Sequence, residues 1–228
     1  MHTPAPQTQL ESNIYRIIMD LNNSQRASKL LNSLADKPKF ILPYLVSNLQ
    51  PIRRTALDQG LPWWSFAAIE EADRVFPGKR IFEYGSGGST LRYARRGSQI
   101  TAIEDDMLWH NMLSKRLADE GIANRVNLNY HPFNFFEPEG FLDSGYLRAL
   151  TASVYDVIII DGQDTTFRER LTCFRHAEKF IEAGGIILLD DFWRYESLLA
   201  SHSAKKVQIF ESVGPCRIGV TSTALFYY

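Results

Sequence analysis

Two different spacings of apolar residues divide the chain. Up to about residue 50 they recur at helical intervals: Ile14, Ile17, Ile18 and Leu21, then Leu30, Leu31 and Leu34 with Ser24 as the N-cap. This predicts a helical lid or packing arm. Pro43, Pro51 and Pro62 interrupt the chain before a helix over Ser65 to Arg74, which Pro77 and Gly78 end. From Lys79 the spacing shortens to buried strand-like runs alternating with helices, the signature of a parallel sheet covered on both faces.

The strands expected are Arg80 to Tyr84, Gln99 to Glu104, Arg125 to Tyr130, Tyr155 to Asp161 and Gly185 to Asp190. The clearest intervening helix is Thr166 to Glu182, with Leu171, Phe174, Ala177 and Ile181 on one face and Gly184 and Gly185 as its stop. After Asp191 two strand-like runs, Lys206 to Ser212 and Thr221 to Tyr228, are joined by a turn carrying Gly214 and Pro215. No helix fits between them, which predicts a terminal antiparallel hairpin. The expected organisation is a helical extension over 1–60 and one α/β domain over 61–228.

Composition narrows the partners. The 228 residues carry 25 basic against 26 acidic side chains, a net charge of -1, so no global field favours nucleic acid or a membrane surface. The basic pairs Arg53–Arg54 and Arg95–Arg96 read as solvated faces. Cys173 and Cys216 are too few for a disulfide framework and wrongly spaced for zinc. With no basic flank and apolar run near Met1 and no apolar run that would span a bilayer, a reduced, cytoplasmic setting is expected.

The chemistry concentrates at strand ends. In Ile81-Phe82-Glu83-Tyr84-Gly85-Ser86-Gly87-Gly88-Ser89-Thr90 an apolar strand passes through a small-residue turn into a helix beginning near Thr90, the context a cofactor turn requires. Glycine lets backbone approach a ligand, and the helix that follows presents free N–H groups. Glu104 closes the next strand at about the spacing from which an acid accepts bonds from ribose hydroxyls. Glu83 would repel a pyrophosphate and suit an ammonium. Thr90 stands where a dinucleotide turn has its third glycine. An S-adenosylmethionine (SAM) site is therefore favoured over NAD.

Glu83 to Thr90, followed by Ile103-Glu104-Asp105-Asp106, resembles the first two motifs of the class I SAM-dependent methyltransferases. The similarity runs over about residues 60 to 228. It implies a three-layer, Rossmann-like α/β fold with a seven-stranded, mostly parallel sheet and an antiparallel C-terminal strand. By the same resemblance Glu83 approaches the methionine amino group, Gly85, Ser86, Gly87 and Gly88 line the cofactor, Glu104 holds the ribose and Asp105 lies near the adenine.

Ile158-Ile159-Ile160-Asp161-Gly162 and Ile187-Leu188-Leu189-Asp190-Asp191 put three more acids at strand ends, where ligands bind an open α/β sheet. Such crowding needs a cation, and hard oxygen ligands suit Mg²⁺. The pattern is similar to that of metal-dependent O-methyltransferases, which implies Asp161, Asp190 and Asp191 as metal ligands; the alternative is that Asp191 caps a following helix and Asp161 binds solvent or the cofactor. Asp161 and Asp164 are the candidate catalytic acids, Asp164 as general base, with His131 a second candidate base.

Between His131 and Tyr146, Phe133, Phe135, Phe136 and Phe141 form either a substrate flap or packing under a long loop. Trp63 and Trp64 offer the same choice between covering the cofactor and cementing a helix to the sheet. The expected activity is methyl transfer to a small molecule at oxygen. An NAD-type oxidoreductase and a non-catalytic nucleoside-binding scaffold are the alternatives, and the apolar N-terminal helices allow a homodimer.

Overall fold

The computed structural model describes residues 23–48, 55–152 and 155–228. The stripe Ile14 to Leu21 and the pair Arg53–Arg54 lie outside them.

Seven strands form one sheet: β1 (Arg80–Tyr84), β2 (Gln99–Glu104), β3 (Val126–Tyr130), β4 (Tyr155–Ile160), β5 (Ile181–Leu189), β6 (Lys206–Val213) and β7 (Val220–Tyr227). Their order is β3-β2-β1-β4-β5-β7-β6. The first five run parallel, and β7 enters antiparallel between β5 and β6. Strand order reverses between β1 and β4, the switch point at which α/β sheets bind ligands.

Period-two alternation sorts the strand side chains into two cores. Phe82, Tyr84, Ile158, Ile160, Ile187 and Leu189 pack on one face. Ile81, Ile100, Ala102, Val157, Ile159 and Leu188 pack on the other. The intervening helices cover both, giving three layers.

Two N-terminal helices, α1 (Asn23–Asp36) and α2 (Ile41–Asn48), are followed by α3 (Ala56–Gln59) and α4 (Phe66–Val75). Ser24 falls inside the first turn of α1 rather than ahead of it. Phe40 and Tyr44 enter the second core, with Leu30 and Leu34 packed against it. Lys29 pairs with Glu211 of β6 at 3.3 Å, and Lys37 Nζ donates to the Glu211 carbonyl at 2.5 Å. The described part of this segment therefore packs as an arm on the β6 side. Helix α4 starts where Ser65 Oγ accepts the Ala68 N–H.

Helices α5 (Gly88–Arg95) and α6 (Met107–Asp119) follow β1 and β2. The short α7 (Gly145–Arg148) lies between β3 and β4, and α8 (Glu169–Ala177) precedes β5. The helix expected over 166–182 is thus shorter. Phe167 sits at φ 63°, outside helical geometry, so α8 begins after it. Ile181 already pairs with Tyr155, and the next pair is Ile186 with Val157. Residues 182–185 form a bulge in β5, so Gly184 and Gly185 shape a strand irregularity instead of stopping a helix.

Candidate active site

Backbone ladders bring the strand ends level. The Gly85 N–H donates to Ile103 O (3.0 Å), Asp161 N–H to Tyr84 O (3.0 Å), Asp190 N–H to Ile160 O (3.2 Å) and His131 N–H to Glu104 O (2.8 Å). Gly85, Glu104, Asp161 and Asp190 therefore share one rim. Gly85 has φ 86°, and a Cβ there would lie 2.8 Å from the Gly162 backbone, so the loops after β1 and β4 touch because neither carries a side chain. At Gly88 a Cβ would stand 2.0 Å from the Leu61 carbonyl, so the chain before α4 lies directly on the start of α5.

Each rim acid is already hydrogen-bonded. Glu83, 1% exposed, accepts from Ser89 Oγ with one oxygen and from Thr90 Oγ1 at 2.7 Å with the other. Burial pushes its carboxyl up to about 8 against those two bonds. Glu104 accepts from Ser86 Oγ at 2.5 Å and from the N–H groups of Asp105 and Asp106 at 3.1 Å, and burial raises it as well. Asp105 is partly buried and pushed up to about 7 by burial and the adjacent Glu104. Asp106 caps α6 by accepting the Trp109 N–H. Trp109 Nε1 donates to the Ser86 carbonyl at 2.7 Å, with its ring against Gly87.

The acids expected to hold a metal are engaged by the chain itself, Asp161 and Asp191 by arginines and Asp190 by a threonine hydroxyl. Arg170, buried on α8, donates to the carbonyls of Gly162 (2.6 Å), Asp190 (3.1 Å) and Asp161 (3.3 Å), and its Nη2 lies 3.2 Å from Asp161 Oδ1. Trp64 Nε1 takes Asp161 Oδ2 at 2.9 Å. Thr223 Oγ1 donates to Asp190 at 2.6 Å. Asp191, at φ 51°, accepts from Arg217 (3.3 Å) and Thr221 (3.1 Å), with Arg194 at 3.5 Å.

Burial raises Asp161 and Asp190, whereas at Asp191 the charges of Arg170, Arg217 and Arg194 outweigh burial and hold the carboxyl below its ordinary range. Among the described residues no group of three or more His, Cys, Asp or Glu side chains is arranged to hold a metal ion. Asp161, Asp190 and Asp191 thus do not fit Mg²⁺: the cation that crowded carboxylates demand comes from the chain itself.

Asp164 accepts from the buried Tyr195 hydroxyl, and burial together with neighbouring Glu169 brings its carboxyl to about 6. His131 is partly buried beside Gly145. Trp64 is fully buried, stacked on Tyr93 at 6.1 Å, and so both cements α4 and holds Asp161. Trp63 is 55% exposed, and its carbonyl accepts from Arg217. Of the aromatic loop, Phe135, Phe141 and Tyr146 are core residues, Phe133 packs against them, and Phe136 stands in solvent. That is the packing reading for all but Phe136.

Sequence reasoning missed Arg170 and Tyr195. Arg170 shares its face with Phe174 and Ala177 at i, i+4 and i+7, and a charge on an apolar stripe signals a buried, paired group.

No family model and no curated protein matches the sequence. Solved structures do match the fold. A cofactor-bound protein from MTB aligns with a TM-score of 0.54 at 15% identity, over 99% of this chain and 98% of that one. The O-methyltransferase TomG from Streptomyces achromogenes, solved with SAM, aligns at 0.51 and 18%, over 94% of each chain. A protein from Clostridium thermocellum assigned as an rRNA methylase aligns at 0.50 and 14%, over 71% of this chain and 95% of that one. The strand order, the antiparallel β7 and these alignments define the class I methyltransferase fold.

Proposed function

We propose that the chain is a SAM-dependent methyltransferase acting on a small molecule at oxygen, in the cytoplasm. The carrying observation is the glycine turn at the switch point, with Glu104 and Ser86 joined across it. The residues fit SAM. The Glu104 carboxylate can exchange the Ser86 hydroxyl for those of a ribose, the Gly85–Gly162 approach lets a ligand lie against backbone, and Asp105 borders the adenine side. Glu83 braces the turn through Ser89 and Thr90, and an arriving methionine ammonium would draw its buried carboxyl into the charged form.

Bound SAM supplies an electrophilic methyl group. The chain supplies position: Asp161, clamped by Trp64 and Arg170, fixes the loop after β4. Asp164 accepts the acceptor's proton, and the Tyr195 hydroxyl favours its charged form. A dinucleotide fits less well, because Thr90 stands where its turn has the third glycine. Leu31, Leu42 and Val46, exposed on α1 and α2, support pairing with a second copy.

Calorimetric titration with SAM, S-adenosylhomocysteine and NAD tests the reading. Micromolar binding of the first two is expected, weakened about 10- to 100-fold in Glu104→Ala because the buried ribose hydroxyls are left without an acceptor. Binding of NAD alone, or of none of the three, overturns it.

A further inference from the structure

We infer that the Tyr146 hydroxyl is a binding group of the cofactor site, donating a hydrogen bond to an oxygen of bound SAM; this rests on the SAM reading above. Tyr146 belongs to α7, where Ser144 Oγ caps the turn by accepting the Leu147 N–H. Its ring is fixed by Phe135 (5.3 Å between centroids), Tyr84 (5.7 Å) and Phe141 (6.2 Å). The hydroxyl ends at the crevice between the loops after β1 and β4: a Cβ on Gly162 would lie 2.0 Å from it, and Gly162 is the residue that abuts Gly85.

The side chain is 1% exposed, and its hydroxyl has no hydrogen-bond partner among the described residues. Buried hydroxyls are ordinarily paired, and leaving one unpaired is costly. The same aromatic cluster pairs its other phenol: Tyr84 donates to the Leu147 carbonyl at 2.7 Å. The unpaired phenol is thus the one facing the glycine crevice. The phenol carries one O–H donor, which burial keeps protonated, and an acceptor oxygen on the ligand is the partner that would satisfy it.

The test is Tyr146→Phe, with SAM and S-adenosylhomocysteine titrated calorimetrically and thermal unfolding followed without ligand. Affinity for both ligands is expected to fall about three- to tenfold, the worth of one hydrogen bond. The melting temperature without ligand should hold or rise, because the variant buries one polar group fewer. Affinities within twofold of the wild type overturn the inference alone. A lowered melting temperature also overturns it, since the hydroxyl then has a structural partner. Failure of the wild-type protein to bind either ligand overturns the SAM reading and this inference with it.

Discussion

Replacing Arg170 by Met keeps much of the side chain's volume and removes its charge. Four contacts disappear: three carbonyls, of Gly162, Asp190 and Asp161, and the carboxylate of Asp161. The carboxylates remain, buried, with Asp161, Asp190 and Asp191 close enough to repel one another. Removing one member of a buried charge cluster costs about 3–5 kcal/mol. For a chain of this length that lowers the melting temperature by roughly 6–20 °C. The loss should also depend on pH. With Arg170 gone, Arg217 and Arg194 still face Asp191, but Asp161 and Asp190, already raised by burial, titrate at still higher pH in the folded protein than in the unfolded chain. Their contribution is then intact below the ordinary carboxyl range and lost as pH rises through the folded values. Urea unfolding followed by circular dichroism from pH 5 to pH 8 should show the deficit of Arg170→Met growing with pH. A loss under about 1 kcal/mol at neutral pH, or a deficit that shrinks as pH rises, refutes the assignment of Arg170 as the rim's counter-ion.

Because Trp64 and Arg170 engage Asp161, Thr223 engages Asp190 and Arg217 engages Asp191, Mg²⁺ and EDTA should each leave SAM affinity unchanged within twofold by calorimetry; a Mg²⁺ dependence abolished by Asp190→Ala would contradict this. Glu83, held at about 8 by burial, contributes stability that is complete below its ordinary 4.5 and lost as pH rises through 8. Glu83→Gln should therefore gain on the wild type by ~3–5 kcal/mol between pH 5 and pH 9 in urea unfolding, and a difference that stays constant across that range would show Glu83 to be charged throughout.

The strands were legible to within a few residues wherever β-branched and aliphatic runs were bounded by breakers: β1 and β2 match their expected limits, β4 begins at Tyr155 as expected, and β3 begins at Val126, one residue after the expected Arg125. The rim acids were legible for the same reason, since an acid ending a buried strand has nowhere to go but the carboxyl edge. What failed was local period at the α8–β5 junction. Leu171 and Ile181 suggested one long helix, whereas Arg170, Cys173, Phe174 and Ala177 make the buried face and Ile181 has already joined the sheet. The partners of the acids were illegible because they come from distant sequence: Thr223 reaches Asp190, Arg217 reaches Asp191 and Trp64 reaches Asp161 only after the sheet closes. Three carboxylates in a row suggested a metal because the pattern lists charges of one sign, while the compensating arginines lie on a helix and on flanking turns.

This pairing bears on how the rim distinguishes ligands. Glu83 is engaged by Ser89 and Thr90, Glu104 by Ser86, and Asp161 by Trp64 and Arg170. A ribose that reaches Glu104 therefore exchanges one hydroxyl donor for another, a swap that gains little net energy because a bond is lost for each one made. Affinity must come from elsewhere: from apolar contact with the backbone crevice at Gly85 and Gly162, and from groups that gain a partner without losing one. Tyr146 is such a group, at the point where the two loops meet. A molecule lacking an acceptor oxygen at that depth would keep the exchange at Glu104 but forfeit the gain offered by the Tyr146 hydroxyl. On the proposed SAM reading, the acids would set where the nucleoside lies, and the buried phenol would reward the ligand that fills the crevice beyond it.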